Sequence, residues 1–441
     1  MPTTQIFYAS SLYGAATLSA AIDSGCFPSA DRRLLLVANN ATTPETSPSL
    51  DTMPGFERLR GRFDGVISWN EAISPFHPGG WSPRPDDGPL WERYLRMLWD
   101  LGDDRIELAV ESIQVTPALA IAQLFPDATL DVYADGLMSY GPTRSKIDPL
   151  VGERVRTLFH LDLVPGLKPL LLSEFGVKPQ VVATEAFVKV IAELSDGVEE
   201  SPAQSAVGEG AALLLGQYLA ALGIITPAEE EALHVRMVQG AVALGHRRIV
   251  FKPHPTAPAS WTRTLEREAV ALDAELTVLD RPVLAEVLYR QLRPALVAGC
   301  FSTALFTAST FYGIPVARVG TEPLLDRLTP YQNSNRIPLT VVDALVPDLA
   351  EGEAGTPKAA DEEVTGLLSA VGFAMQPQIR SDLRPAAERY LGGSLNGRTW
   401  RYFKRRRLTV LGLPGGIPVP RHAAVRRVAR KARRLKKLAL G

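Results

Sequence analysis

The chain alternates short apolar runs with longer stretches of helical spacing. Ile6-Phe7-Tyr8-Ala9, Leu34-Leu35-Leu36-Val37, Val66-Ile67-Ser68-Trp69, Ile106 to Val110, Leu130 to Tyr133 and Arg156 to Val164 read as strands. Between them, an Ala-rich stretch to about Ser24, Leu90 to Leu101, Pro117 to Leu124 and Thr184 to Leu194 read as helices. The run Leu34–Val37 has no polar alternation, which is expected of a strand covered on both faces in a parallel sheet. Residues 41–55, rich in Thr, Ser and Pro, and the Pro/Gly-rich stretch 75–89 read as surface loops.

The alternation breaks at Asp196 to Gly210, an acidic stretch with Ser, Pro and Gly and no periodicity. It restarts with Leu213-Leu214-Leu215, a helix from about Pro227 to Leu244 and the strand Ile249-Val250-Phe251. Further units follow at Leu276 to Leu279, Val283 to Leu292, Ala295 to Val297, a helix from Ser302, and Val316 to Val319, before a less regular helical region from about Ala359 to Leu391. This pattern predicts an α/β protein with a Rossmann-like domain over 1–195, a linker over 196–210, a second Rossmann-like domain over 211–391 and a tail over 392–441. Two such domains facing a central cleft make the GT-B arrangement, used by many enzymes that handle sugar nucleotides. Fold alone does not fix function.

Composition narrows the picture. A chain of 441 residues is too long for one ordinary core, and 46% apolar with 22% charged residues is ordinary for a globular protein. Two cysteines, Cys26 and Cys300, cannot build a disulfide framework, so a reducing compartment is expected. No run reaches membrane-spanning length, and the N-terminus lacks the basic and apolar regions of a secretory signal, which points to the cytoplasm. The six His and two Cys show no close ligand spacing, so no metal site is expected. No Gly-rich phosphate loop or dinucleotide fingerprint occurs, which disfavours ATPase and dehydrogenase chemistry, and no cofactor is expected.

Candidate chemistry gathers where strands end. Ile249–Phe251 runs into Lys252-Pro253-His254-Pro255, and the prolines stop the strand and hold His254 extended. Ligands of open α/β sheets bind at that edge, although a histidine after a strand is often just a surface residue. Asp135 follows the strand ending at Tyr133, with Gly136 after it. It is placed to act as a general base, the plain alternative being a turn Asp. Ser302 and Thr303 follow Ala298-Gly299-Cys300-Phe301 and open an apolar helix. They fit simple capping, or an anion site at a helix N-terminus. Ser10 and Ser11, in the first strand-to-helix loop, are acceptor-side or loop positions, as is Gly136.

Taken in order, Asp135-Gly136 with Ser139-Tyr140-Gly141, then His254-Pro255, then Ser302-Thr303 resemble the three motifs of bacterial sialyltransferases, in the polysialyltransferase-like branch. The likeness spans the motifs between about Gly136 and Gly313. Ala134 departs from it, standing where that family usually carries a first acid. The resemblance implies a CMP-activated sialic or related nonulosonic acid as donor substrate and a glycan or glycolipid acceptor. It implies inverting transfer without a metal, Asp135 as base and His254 assisting departure of CMP. Lys252, Pro255, Ser302, Thr303, Gly216 and Gln217 would then line the donor site. Two other readings remain open: a CDP-activated polyol-phosphate transferase of the teichoic-acid type, and a non-catalytic glycan-binding protein.

Net charge is −1, yet from Arg398 onward there are about fifteen Lys and Arg and no acids, which leaves the rest of the chain near −16. Arg401 to Arg407 is one dense cluster. Beyond Pro420, Val425, Val428, Ala432, Leu435 and Leu438 fall on one face of a basic helical stretch. Such a helix suits an anionic membrane surface, here the inner face of the cell membrane; an anionic polymer is the next choice, and nucleic acid is not the expected partner.

Overall fold

The computed structural model describes residues 1–253 and 259–418, with only the backbone described at 259–261. His254 and Pro255, and the basic stretch beyond Pro420, lie outside the described residues.

Two parallel sheets form the frame. The first contains β1 (Thr3–Ala9), β2 (Arg32–Val37), β3 (Gly65–Ser68), β4 (Arg105–Glu111), β5 (Thr129–Ala134), β6 (Val155–Leu161) and β7 (Lys178–Val182), in the order β3-β2-β1-β4-β5-β6-β7. The second contains β8 (Ala212–Leu215), β9 (Arg248–Lys252), β10 (Glu275–Val278), β11 (Leu296–Gly299) and β12 (Val316–Arg318), in the order β10-β9-β8-β11-β12. Each sheet reverses direction once, at β1/β4 and at β8/β11. That reversal opens a crevice at the carboxyl edge where doubly wound folds bind ligands. The inner strands carry unbroken apolar runs: Leu34, Leu35 and Leu36, and Leu213 and Leu214, are buried, as strands covered by helices on both faces require.

Two differences from the sequence reading have physical causes. β7, Lys-Pro-Gln-Val-Val, is mostly exposed at the sheet edge, where a proline is tolerated and no apolar run is needed, so pattern alone missed it. Trp69 is not the end of β3 but the start of a short helix, Trp69–Ala72, capped by the Ser68 hydroxyl, which accepts from Glu71 N–H at 3.2 Å.

The two halves are packed against each other. The Thr310 hydroxyl donates to the Leu163 carbonyl at 3.0 Å, and the Phe187 and Phe311 rings meet edge to face at 5.7 Å. The helices Arg336–Leu345 and Glu362–Met375 reach back to the first half. Ile337 lies against Gly141, and Arg380, just beyond the second of them, donates to the Leu170 carbonyl at 3.1 Å.

The expected tail begins inside the folded body. Thr399–Tyr402 and the helix Arg405–Leu411 pack on the second half, not on the first. Tyr402 donates its hydroxyl to buried Asp343 at 2.8 Å, and Arg401 reaches the same carboxylate at 3.4 Å. Lys404 pairs with Asp326, and Arg407 donates to the Ala374 carbonyl at 2.7 Å. Part of the basic cluster is therefore held by acids and carbonyls of the body. Among the described residues no helix is long and apolar enough to cross a membrane.

Candidate active site

Asp135, Gly136, Gly216, Gln217, Ser302 and Thr303 line one cleft of about 360 Å³ between the halves. Each sits just past the carboxyl end of a strand: β5 for Asp135 and Gly136, β8 for Gly216 and Gln217, β11 for Ser302 and Thr303. Residues scattered over some 170 positions thus converge because parallel strands all deliver their ends to the same edge.

Asp135 is half-buried, and burial raises its pKa above the ordinary aspartate value, partly offset by its own backbone N–H. A carboxylate lifted this way is a better proton acceptor near neutral pH. Gly136 has φ −140°, which any residue adopts. A Cβ there would be a tight fit, 3.1 Å from Thr303 Oγ1. Leu137, the next residue, donates its N–H to the same oxygen at 3.3 Å.

On the opposite wall, Ser302 Oγ accepts from Ala304 N–H at 3.2 Å. The helix opens as Ala304–Phe306 and widens into a π turn over Thr307–Phe311, a distortion common at functional sites. The loop after β8 is held by two buried side chains that sequence reading missed. Glu230 accepts from Leu219 and Ala220 N–H, both at 2.8 Å. His234 accepts from Gln217 N–H at 3.4 Å, and burial lowers its pKa to about 4, so its ring is neutral and able to accept that bond. Both lie on the helix Pro227–Ala243, four residues apart on one face.

Lys252 ends β9 but is not among the cleft-lining residues. Its Nζ donates to the Arg281 carbonyl at 3.3 Å, and burial lowers its pKa, with Glu286 and Asp280 opposing the shift. Ser11 caps the helix Leu12–Asp23, accepting from Gly14 N–H at 3.0 Å. Ser10 points elsewhere: its hydroxyl and its N–H both donate to Glu111, the last residue of β4. Neither serine lines the cleft.

Glu111 is the acid that sequence reading passed over. The strand was read as Ile106 to Val110, and the next residue stands at a strand end as Asp135 does. Its carboxyl also faces the Tyr133 hydroxyl at 3.2 Å. Its pKa is raised to about 7, first by burial and then by the charge of Asp135; the Ser10 and Tyr133 hydrogen bonds oppose the shift. Gly14 leaves room for this arrangement, since a Cβ there would lie 2.8 Å from the Tyr133 hydroxyl.

Two parallel α/β sheets with a shared cleft at their carboxyl edges define the GT-B class of glycosyltransferases and sugar-nucleotide enzymes. The chain belongs to the alpha-2,8-polysialyltransferase (POLYST) family, whose sequence model matches residues 5–321. No curated protein matches it. Among solved structures, a sialyltransferase GT-B domain from Photobacterium damselae is similar at 11% identity, covering 76% of this chain and 95% of that one, with a TM-score of 0.39. A putative UDP-N-acetylglucosamine 2-epimerase from Listeria monocytogenes aligns at 12% identity over 86% of this chain and 98% of that one, TM-score 0.47. MurG from Acinetobacter baumannii aligns at 10% identity over 90% of this chain and 97% of that one, TM-score 0.40. Family membership makes this protein a glycosyltransferase of the sialyltransferase group.

Proposed function

We propose that the protein transfers sialic acid, or a related nonulosonic acid, from a CMP-activated donor to a glycan hydroxyl with inversion. The observation that carries this reading is the single cleft in which Asp135 faces Gly216, Gln217, Ser302 and Thr303. An acid on one half faces small and hydroxyl-bearing loop residues on the other, which suits an acceptor on the Asp135 side and an anionic nucleotide on the other.

In this reading Asp135 takes the proton of the acceptor hydroxyl as its oxygen attacks the anomeric carbon. The bond from that carbon to the phosphate oxygen breaks on the opposite face, and CMP leaves with the electron pair. Ser302 and Thr303 hydrogen-bond the phosphate or the sugar carboxylate. His254 is assigned to the departing phosphate as acid or electrostatic partner, with Pro255 fixing its backbone. A phosphate monoester is a good leaving group, so hydrogen-bond donors and a cationic imidazole suffice for the charge that develops, and no metal is invoked. Lys252 adds positive charge near the same pocket. The basic stretch beyond Pro420 is proposed to hold the enzyme at an anionic membrane surface.

The test is release of free CMP from CMP-sialic acid with and without sialylated acceptors. Acceptor-stimulated release supports the reading. Turnover of a CDP-polyol donor in its place would move the protein to the polyol-phosphate transferases, and nucleotide binding without turnover of either would make it a binding protein.

A further inference from the structure

The helix Gly88–Leu98 turns more apolar surface outward than its packing needs. Leu95 is buried and Trp91 half-buried against the core of the first half, one turn apart. Leu90, Tyr94, Met97 and Leu98 lie on the neighbouring stripe, at the spacing of one helix face. All four are exposed, Leu90 by 69% and Met97 by 74%. The stripe continues into the loop before the helix through a string of rings. Trp91 meets Tyr94 edge to face at 5.6 Å and Trp81 at 4.8 Å, and Trp81 stacks on exposed Phe76 at 6.3 Å. Trp81 also meets the fully buried Trp69 at 5.8 Å, which anchors the string in the core.

This surface adjoins the cleft. Residues 69–104 lead from the carboxyl end of β3 to the amino end of β4, so the loop starts at the cleft edge of the sheet and the helix runs back from it. The Thr116 hydroxyl donates to the Gly79 carbonyl at 2.9 Å, tying that loop to residues 112–116. Ser112 and Gln114 line the cleft with Asp135, and Val115 beside them is exposed. Charges around the stripe are mostly paired with one another: Glu92 with Arg96 at 2.9 Å, Arg84 with Asp87 at 2.8 Å. Arg93 then stands against Asp86, Asp100 and Asp103, which leaves acid in excess.

We propose that this stripe seats in the headgroup boundary of a zwitterionic lipid surface, with the cleft opening beside it, so that a lipid-linked acceptor presents its glycan to Asp135. Aliphatic side chains enter the acyl boundary, and Trp and Tyr rings sit at the headgroup level. The helix has 11 residues, a length of about 16 Å. Its four exposed side chains and the rings beside them fall well short of the roughly 20–30 residues a side that a stable protein interface uses. The excess of acid disfavours an anionic surface and suits the outward ammonium of a zwitterionic headgroup. The contact is thus unlike that of the basic stretch beyond Pro420, which calls for anionic lipid. Presentation of the glycan rests on Asp135 facing the acceptor; the lipid contact stands apart from that reading.

Flotation of the full chain with phosphatidylcholine vesicles tests the contact, at about 0.5 M salt, where a Debye length of about 4 Å screens the basic stretch. The wild type should float, and so should the chain cut after Pro420. L90S with M97S should lower the bound-to-free ratio by about tenfold or more, since both side chains lose their apolar transfer free energy. Both residues are exposed, so this variant should melt as the wild type does. L90F with M97L keeps the face apolar and should float like the wild type. No flotation of the wild type, equal flotation of the serine variant, or flotation lost with the residues beyond Pro420 overturns the lipid contact. So does a wild-type dimer in sedimentation that the serine variant splits, because a second copy would then cover the face. With transfer established, the serine variant should raise KM about tenfold for a lipid-linked acceptor in these vesicles and leave KM for a soluble acceptor unchanged. An unchanged KM for the lipid-linked acceptor overturns presentation of the glycan. No turnover of CMP-sialic acid by the wild type would instead overturn the functional reading, while flotation still decides the lipid contact.

Discussion

The backbone N–H of Leu137, in the first half, donates to the hydroxyl oxygen of Thr303, in the second, at 3.3 Å. The bond spans 166 positions of sequence and fixes the distance between the proposed base and the proposed donor wall. Thr303→Val keeps the shape and removes the acceptor. A hydrogen bond of this kind contributes about 0.5–1.5 kcal/mol, so donor KM should rise about two- to tenfold. Gly136→Ala, pressing a methyl against the same oxygen, should act in the same direction. Unchanged donor kinetics in both variants would mean that this contact does not set the cleft.

Asp135→Asn keeps the size of the side chain and abolishes its basicity. Transfer should fall by about 10²–10⁴, the range for loss of a general base, while CMP binding measured by calorimetry changes little. Near-normal turnover at saturating donor would remove Asp135 from the role of base.

Glu111 also links stability to pH. Its pKa rises from an ordinary 4.5 to about 7, so the folded state binds that proton more tightly than the unfolded chain. This stabilising contribution is complete below pH 4.5 and is lost as pH rises through 7. Glu111→Gln cannot ionise and should therefore melt higher than wild type at pH 8 but not at pH 4. The difference is at most about 3 kcal/mol, reduced by the partial exposure of the group. Thermal melts at the two pH values measure it, and an equal shift at both would contradict the sign.

Asp343 is the hub of the second half. Its carboxylate receives the Tyr402 hydroxyl at 2.8 Å and the Thr321 hydroxyl at 2.5 Å, and it faces Arg318 at 3.3 Å and Arg401 at 3.4 Å. Asp343→Ala would leave Arg318 paired with Asp348 at 2.7 Å but strip the acceptor from the Tyr402 and Thr321 hydroxyls. Each buried hydroxyl left without its acceptor costs about 1–3 kcal/mol, which should appear as a loss in denaturant midpoint.

The packing of residues 399–411 separates two truncations. A chain ending after Pro420 keeps Tyr402, Lys404 and Arg407 in their places and should still act on a small acceptor, while losing salt-sensitive attachment to anionic vesicles. A chain ending at Ser394 loses the Tyr402–Asp343 bond and should be unstable. Equal vesicle pelleting of the longer truncation and the intact chain would end the membrane assignment.

Sequence alone determined what depends on local pattern. Apolar runs of four or five residues fixed most of the strands, because buried parallel strands have no polar face to interrupt them. Short strand-end motifs marked Asp135, Gly136, Ser302 and Thr303, because the chain must turn there and turns have narrow residue preferences. The tertiary structure decided what depends on neighbours across strands. β7 is an edge strand with almost no apolar signal. Ser11 is a helix cap and Ser10 a partner of Glu111, a difference invisible in the dipeptide. Glu230 and His234, unremarkable on a helix, hold the loop carrying Gln217. Arg401, Lys404 and Arg407 read as part of a solvated tail until Asp343, Asp326 and the Ala374 carbonyl come within reach. Glu111 became a site residue only when β4 was laid beside β5, because strand order is set by packing over long sequence separations and no local pattern encodes it.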